Sequence, residues 1–294
     1  WFGDVQFLIS RNTADPLPGT KNEVAATNGE PQPKHEPPAV NTRPAAAFAA
    51  TFMGGNNGVN HSHNDLGTFT VYVGCDDLIC DPGAEVYTPR TFGIGRYRSA
   101  LLNSYGHPVP VVDGALQAPD LEKMPDVAPS DAYAEVIDVR FSDAADRVEL
   151  DLTAGYRVAT LERLTRTFTF RRGDAPRVSV TDCVRFSRSS EFETAVITYA
   201  AWEQLDTRRL RLFSEAGSLI VEVSADTGSL GFEAERIEES STPWRLSWRL
   251  TRPVSRAAVT VVAIPEQPSS PSARSRADRY PRPRSPRRGR RRKP

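Results

Sequence analysis

Three of the four histidines in the chain lie within residues 59–117, where their types and spacing are those of a metal site. His61 and His63 are separated by one residue. Asp81 ends an apolar run, and His107 follows later in the same stretch. Neutral imidazole nitrogen and carboxylate oxygen are donors that suit a borderline cation such as zinc. A single histidine beside an apolar run is more often a hydrogen-bonded core or surface residue, so the spacing leaves both interpretations open.

The histidine pair must be positioned by the element that carries it. Its spacing matches a pleated strand on which both rings point to one side. Residues 68–73 alternate between apolar and polar side chains, which is typical of a strand. If one strand runs unbroken from residue 61 to residue 73, we expect the histidines to share the apolar, inward face with Phe69.

The wider text of this region is more specific than the histidine spacing. HSHNDLGTFTVYV is followed in order by LICDPG, YTPRTF, RY, a late histidine and VVDGALQ. These motifs resemble the heparinase II/III-like family of polysaccharide lyases, closely over residues 45–117 and more loosely to residue 265. The resemblance implies an antiparallel β-sandwich, which members of the family pair with an N-terminal α/α toroid.

The resemblance also implies roles for individual residues. His61 matches the catalytic histidine that the family carries on its sandwich. His63, Asp81 and His107 match the family's zinc ligands, so the expected cofactor is zinc. Pro108 departs from the family pattern, because many relatives have asparagine after the late histidine.

The irregular stretch 84–108 carries side chains that suit an acidic sugar. Arginine can hold a carboxylate or sulfate through two parallel hydrogen bonds, and tyrosine can stack on a sugar ring. We predict Arg96, Tyr97 and Asn64 as substrate-binding residues, with solvated loop side chains as the alternative. The expected partners are an acidic polysaccharide or oligosaccharide and the toroid domain.

The activity that the resemblance implies is β-elimination at C4 of a uronic acid. A base removes the C5 proton, negative charge builds toward the C6 carboxylate, and the leaving oxygen is protonated. His61 can serve as base or acid, because imidazole titrates in the useful range. The family takes a tyrosine and a carboxylate-neutralising residue from the toroid, so this chain alone is expected to be incomplete as an enzyme. Glycosaminoglycans and alginate both remain open as substrates.

Two other functions remain open from the residues. A non-catalytic sandwich would bind carbohydrate or support a neighbouring domain. A cupin-like metal oxidoreductase also uses H-x-H and a later histidine, but it places a glutamate a few residues after the pair. The first glutamate after this pair is Glu85, which argues against the cupin interpretation.

Charge is distributed unevenly along the chain. Of 37 Lys and Arg and 37 Asp and Glu, eleven basic residues and two acids lie from Glu266 onward, which leaves residues 1–265 with a net charge of −9. An acidic body needs a local basic patch to bind an acidic polysaccharide. We expect the basic tail to be disordered and nucleic-acid binding to be absent. The resemblance implies a periplasmic or secreted protein, with the cytoplasm still open.

The overall pattern predicts an all-β protein, an antiparallel sandwich or barrel, and the family resemblance implies a large antiparallel β-sandwich over residues 45–265. Period-two alternation is plain in RVELDL, RTFTF and RLSWRL, and the predicted strands pass directly from Glu193–Ala200 to Ser218–Ser224. Residues 1–44 are predicted as a short strand and a Pro-rich loop or linker, and 266–294 as a disordered Arg/Pro-rich tail. No run of 18 apolar residues exists, which predicts no membrane-spanning helix.

Overall fold

The computed structural model describes residues 1–3, 6–12, 47–59, 62–93, 95–119 and 132–266. Within these ranges the regular elements are β-strands and short 3-10 turns, without an α-helix, which confirms the all-β class. None of the described helices is long and apolar enough to cross a membrane. The Pro-rich segment, the basic tail beyond Glu266 and His61 lie outside the described residues.

Sixteen strands follow one another along the described part of the chain. They are β1 (Phe7–Asn12), β2 (Phe48–Met53), β3 (Phe69–Val73), β4 (Asp76–Ile79), β5 (Val111–Val112), β6 (Glu135–Phe141), β7 (Ala145–Asp151), β8 (Leu161–Arg171), β9 (Arg177–Ser190), β10 (Phe192–Thr198), β11 (Ala201–Gln204), β12 (Arg209–Phe213), β13 (Ser218–Ala225), β14 (Leu230–Arg236), β15 (Trp244–Leu250) and β16 (Val254–Pro265).

These strands form antiparallel sheets arranged as a sandwich. The large sheet has eight strands in the order β11-β12-β13-β16-β9-β8-β7-β6. Two four-stranded sheets, β1-β2-β3-β4 and β14-β15-β10-β5, are linked where the Cys80 N–H donates to the Ile197 carbonyl oxygen at 2.9 Å. Phe48 stacks on Phe170 and Phe52 on Phe168, with ring centroids 5.3 and 4.9 Å apart. The layers therefore share one aromatic-rich core.

Strand β8 shows how alternation builds this core. Leu164, Phe168 and Phe170 point inward and are buried, while the intervening threonines are only partly covered. Arg166 occupies the same inward face as these apolar residues and is fully buried. It lies in register with Asp182 of β9, and the two side chains form an ion pair. The buried charge of Arg166 therefore has its partner directly opposite on the neighbouring strand.

Two strands of the large sheet were not predicted. β11 and β12 lie between the strands assigned to Glu193–Ala200 and Ser218–Ser224. Leu210 and Leu212 of β12 enter the core, while Arg209 and Arg211 occupy its opposite face. The alternation is present in RLRLF, but arginine lowers its apparent strand propensity.

The condition for the histidines to share a face with Phe69, one unbroken strand from residue 61 to residue 73, is not met. β3 begins at Phe69, and the preceding residues form a turn in which the Thr68 N–H donates to the Asp65 carbonyl oxygen at 2.9 Å. Gly67 has a φ of +81°, a left-handed conformation that ends extended backbone and favours glycine. His63 therefore lies in a loop that leads into β3.

Candidate metal centre

Four side chains converge beside the entry to β3. His63, Asp65, Asp81 and His107 each offer one ligand atom, and these atoms all lie within 4.8 Å of one another. His63 and Asp65 come from the loop before β3, Asp81 follows β4, and His107 follows a 3-10 turn. The structure thus brings together the three predicted ligands and adds Asp65, which sequence reasoning missed.

His107 is the most deeply buried member of this four-donor cluster. Its Nε2 lies 3.1 Å from the Leu101 carbonyl oxygen. Because a carbonyl oxygen only accepts, Nε2 carries the proton and the Nδ1 of a neutral ring presents a lone pair. Nδ1 lies 3.3 Å from Asp81 Oδ2 and has no hydrogen-bond partner. A lone pair facing a carboxylate is unfavourable unless a positive charge, a proton or a metal, lies between them.

Metal binding has to displace a proton from part of the cluster. Burial lowers the pKa of His107, but the Asp81 carboxylate beside it outweighs burial and raises it, so this ring tends to hold a proton when no metal is bound. Burial, followed by the charge of His107, lowers the pKa of His63 to about 4, so this ring is neutral at pH 7. Burial raises the pKa of Asp65 to about 6. Burial acts in the same direction on Asp81, but the His107 ring and the Gly83 N–H outweigh it and hold its pKa at about 2. Neutral imidazole and ionised carboxylate are the states that ligation requires.

The donor set and its burial both fit a divalent cation. Two imidazoles and two carboxylates supply nitrogen and oxygen ligands, which zinc accepts in four-coordinate sites. The burial of these donors is compatible with a bound cation, because the cation would be a partner for the unpartnered Nδ1 of His107. Glu85, which was weighed for a cupin-like centre, is not among the donors. It accepts hydrogen bonds from Arg90 and Thr91 instead.

A cavity of about 610 Å³ opens beside the cluster. His63 and Asp65 line one part of its wall, and Gly55, Val59 and Tyr133 line another. The volume lies in the range of small-molecule sites and is large enough for sugar residues. Two of the four donors therefore border the cavity, while His107 is fully buried.

The predicted substrate residues lie around the same loop. Arg96 is half-buried and donates to the Ser62 and Thr91 carbonyl oxygens, each at 3.0 Å. Its guanidinium lies 5.6 Å from the ring centroid of the half-buried Tyr97. Asn64 is almost fully buried, and its Oδ1 has no hydrogen-bond partner among the described residues. Arg96 thus fixes the backbone next to the unplaced His61.

Gln117 supports the cluster loop and was not predicted as a functional residue. Its Oε1 accepts from the Leu66 N–H at 2.9 Å, and its Nε2 donates to the Leu66 carbonyl oxygen at 2.8 Å. Its own N–H donates to Ser104 Oγ at 2.8 Å, in the turn before His107. The Gln117 side chain therefore binds the backbone of Leu66 in the loop before β3, while its backbone N–H contacts the turn before His107. Gln117 is the last residue of the motif VVDGALQ, and its place in that motif was the sequence feature that could have identified it.

Comparisons with known proteins identify the family and the fold. The family model for the heparinase II/III-like C-terminal region matches residues 45–253. Heparan sulfate lyase HepC from Pedobacter heparinus is similar in fold, with a TM-score of 0.58, 14% identity, and coverage of 76% of this chain and 34% of the lyase. A heparinase III gene product is also similar in fold, with a TM-score of 0.60, 12% identity, and coverage of 77% of this chain and 34% of that protein. The chain spans about a third of the length of these structures, and no curated protein matches it.

Proposed function

We infer the function of this chain from its family: it belongs to the heparinase II/III-like C-terminal family. We propose that it is the β-sandwich part of a polysaccharide lyase that cleaves uronic-acid-containing glycans by β-elimination. The structures that it resembles are named as a heparan sulfate lyase and a heparinase III, which favours a glycosaminoglycan over alginate as substrate.

The observation that carries this proposal is the four-donor cluster at the wall of the cavity. His63, Asp81 and His107 would hold zinc, and Asp65 would be a further donor. When bound, zinc supplies a fixed positive charge that ties the loop before β3 to the segment after β4 and to His107. We propose a structural role for it, because these ligands come from three separate segments of the chain.

The chemistry would fall to side chains beside the cluster. His61 would remove or deliver a proton, at C5 of the uronate or at the leaving oxygen. It is two residues from His63, so a rigid cluster would limit its freedom. Arg96 and Tyr97 would contact the acidic sugar. The unpartnered Oδ1 of Asn64 would accept a hydrogen bond from a sugar hydroxyl, which would remove the cost of its burial.

The proposal is tested by joining the chain to an α/α toroid domain from a lyase of the same family and supplying uronate polymers. We expect products that absorb in the ultraviolet because they carry an unsaturated uronate. His61→Ala should lower turnover by about 10²–10⁴-fold, the usual contribution of a positioned acid–base group, while zinc content and folding stay native. His35→Ala, at a histidine without an assigned role, is the matched control.

Two results would contradict the proposal. Near-normal turnover of the His61→Ala enzyme on its best polymer would remove His61 from the chemistry. Tight binding of uronate polymers without any unsaturated product would favour the alternative function, a sandwich that binds carbohydrate without cleaving it.

A further inference from the structure

We propose that Arg166 is a positioning residue that sets the spacing between the two loops carrying His63 and His107. This inference rests on the proposed metal-dependent function. It goes beyond it by naming a residue of the large sheet, remote from the motifs that identify the family, as the part that holds the ligands in place.

The planar guanidinium of Arg166 donates hydrogen bonds both to a carboxylate of the sheet and to two loop carbonyls. Its Nε and Nη2 donate to the two carboxylate oxygens of Asp182 at 2.6 and 2.8 Å. Its Nη1 donates to the carbonyl oxygens of Gly67 and Pro108, each at 2.8 Å. The ion pair fixes the fork to the sheet, and the remaining nitrogen binds both loops at once.

The two carbonyls belong to the segments that supply three of the four donors. Gly67 lies two residues after Asp65 and four after His63, and Pro108 directly follows His107. Because the same nitrogen, Nη1, donates to both carbonyls, the two loop backbones cannot separate without breaking a buried hydrogen bond from a charged group. The cost of leaving such a group unpaired makes the spacing of the loops stiff.

The packing around Gly67 makes this contact close. A Cβ at this position would lie 2.8 Å from Leu152 Cδ1 and 3.1 Å from Arg166 Cδ. The loop backbone therefore rests directly on the aliphatic part of the arginine. The contact with residue 108 uses a main-chain carbonyl, which proline retains. Pro108 thus departs from the family motif without loss of this interaction.

A second arginine, Arg172, directly follows β8 and is partly exposed, and it provides a comparison with similar bonding. Arg172 pairs with Asp146 and donates to the carbonyl oxygens of Arg11 and Ser142 at 3.0 and 3.1 Å. Its chemistry is that of Arg166, an arginine shared between one carboxylate and two backbone carbonyls. None of these partners belongs to the loops that carry the cluster.

The test compares Arg166→Lys with Arg172→Lys in the full chain. Lysine keeps the charge but has a single nitrogen, so it cannot reproduce the fork. We expect Arg166→Lys to remain folded and to bind zinc about 10–100-fold more weakly, the usual effect of losing an outer contact to a metal site. Arg172→Lys should keep native zinc affinity. Equal affinity of Arg166→Lys and the native chain, or an equal loss in both variants, would overturn the proposal.

Should Arg166→Lys fail to fold, Arg166→Gln combined with Asp182→Asn removes both buried charges together. Arg172→Gln with Asp146→Asn is its control. The same outcomes are expected and the same outcomes would overturn the proposal.

Hydrogen exchange of the metal-free proteins separates this inference from the zinc proposal. Loss of the Arg166 fork should speed exchange in segments 62–68 and 107–112 and leave β13 and β16 unchanged. A native chain that binds no zinc would contradict the metal proposal, while this exchange pattern would still support loop positioning by Arg166. Unchanged exchange in both segments would overturn it.

Discussion

The large sheet and the loops around the four-donor cluster satisfy their buried polar groups in different ways. In the sheet, Arg166 and Asp182 lie in register on neighbouring strands and form an ion pair. Around the cluster, polar atoms are buried without a partner. Among the described residues these are Asn57 Oδ1, Asn64 Oδ1, Thr68 Oγ1 and His107 Nδ1. The fifth buried side-chain atom without a partner in the described residues, Arg245 Nε, belongs to β15.

This difference separates the sheet, whose buried charges are paired, from the loops around the cluster. An unsatisfied buried polar group costs about 1–3 kcal/mol, so the four atoms around the cluster weaken the loops relative to the sheet. The loop before β3 is held by a few single bonds, from the Gly67 N–H to the Met53 carbonyl oxygen, from the Asn64 N–H to the Leu102 carbonyl oxygen, and with Gln117 and Arg166. We therefore expect the sheet to set global stability and the loops to respond to a ligand.

The largest effect is expected from a cavity in the sheet core. Phe168 is fully buried and stacks on Phe52, so Phe168→Ala should lower the free energy of unfolding by about 3–5 kcal/mol in urea titrations. Phe141 on the edge strand β6 is 49% exposed, and Phe141→Ala should change it by about 0.5 kcal/mol or less. Folded Phe168→Ala protein should keep native zinc affinity. A parallel loss of affinity would break the distinction between the two regions.

Removal of zinc should act on the loops. At a free zinc concentration 100 times the dissociation constant, binding should add about 2.7 kcal/mol to the free energy of unfolding. Chelation should reverse this gain and speed hydrogen exchange in residues 84–108, because ligation and ordering are coupled. Faster exchange in the sheet with unchanged residues 84–108 would be the opposite of what the comparison predicts.

The smallest effects should distinguish hydroxyls in the two regions. Thr68 has a buried hydroxyl without a partner among the described residues, so Thr68→Val should raise the free energy of unfolding by about 1 kcal/mol because it removes the cost of that group. Thr181 Oγ1 lies 2.9 Å from Thr260 Oγ1 across the sheet, and Thr181→Val should cost about 1 kcal/mol. Thermal unfolding measures both. A loss of stability at Thr68 would mean that its hydroxyl has a partner in solution.

The fold could be predicted because alternation and burial agree along most strands. RTFTF of β8 is one example, since every second residue enters the core. β11 and β12 were missed because arginines occupy the exposed face of RLRLF and obscure the buried leucines. An unbroken strand from residue 61 to residue 73 does not form because the left-handed turn at Gly67 overrides a two-residue spacing.

The candidate site could be predicted only in part. His63, Asp81 and His107 were identified by their types and by a family resemblance, and they lie together. Asp65 was missed because its carboxylate reaches the others only through the turn that follows it. Arg166 was missed because its loop contacts are with backbone carbonyls 99 and 58 residues away, which leave no trace in side-chain identity.

The most direct test of the account is the zinc content of the purified native chain and of a His63→Ala, Asp81→Ala double variant. We expect one zinc per native chain and none in the double variant, with both proteins folded, because the variant removes two of the four clustered donors. A His35→Ala, Asp206→Ala variant should retain its zinc. Zinc content unchanged by loss of His63 and Asp81 would contradict the central claim that the four-donor cluster is the metal site.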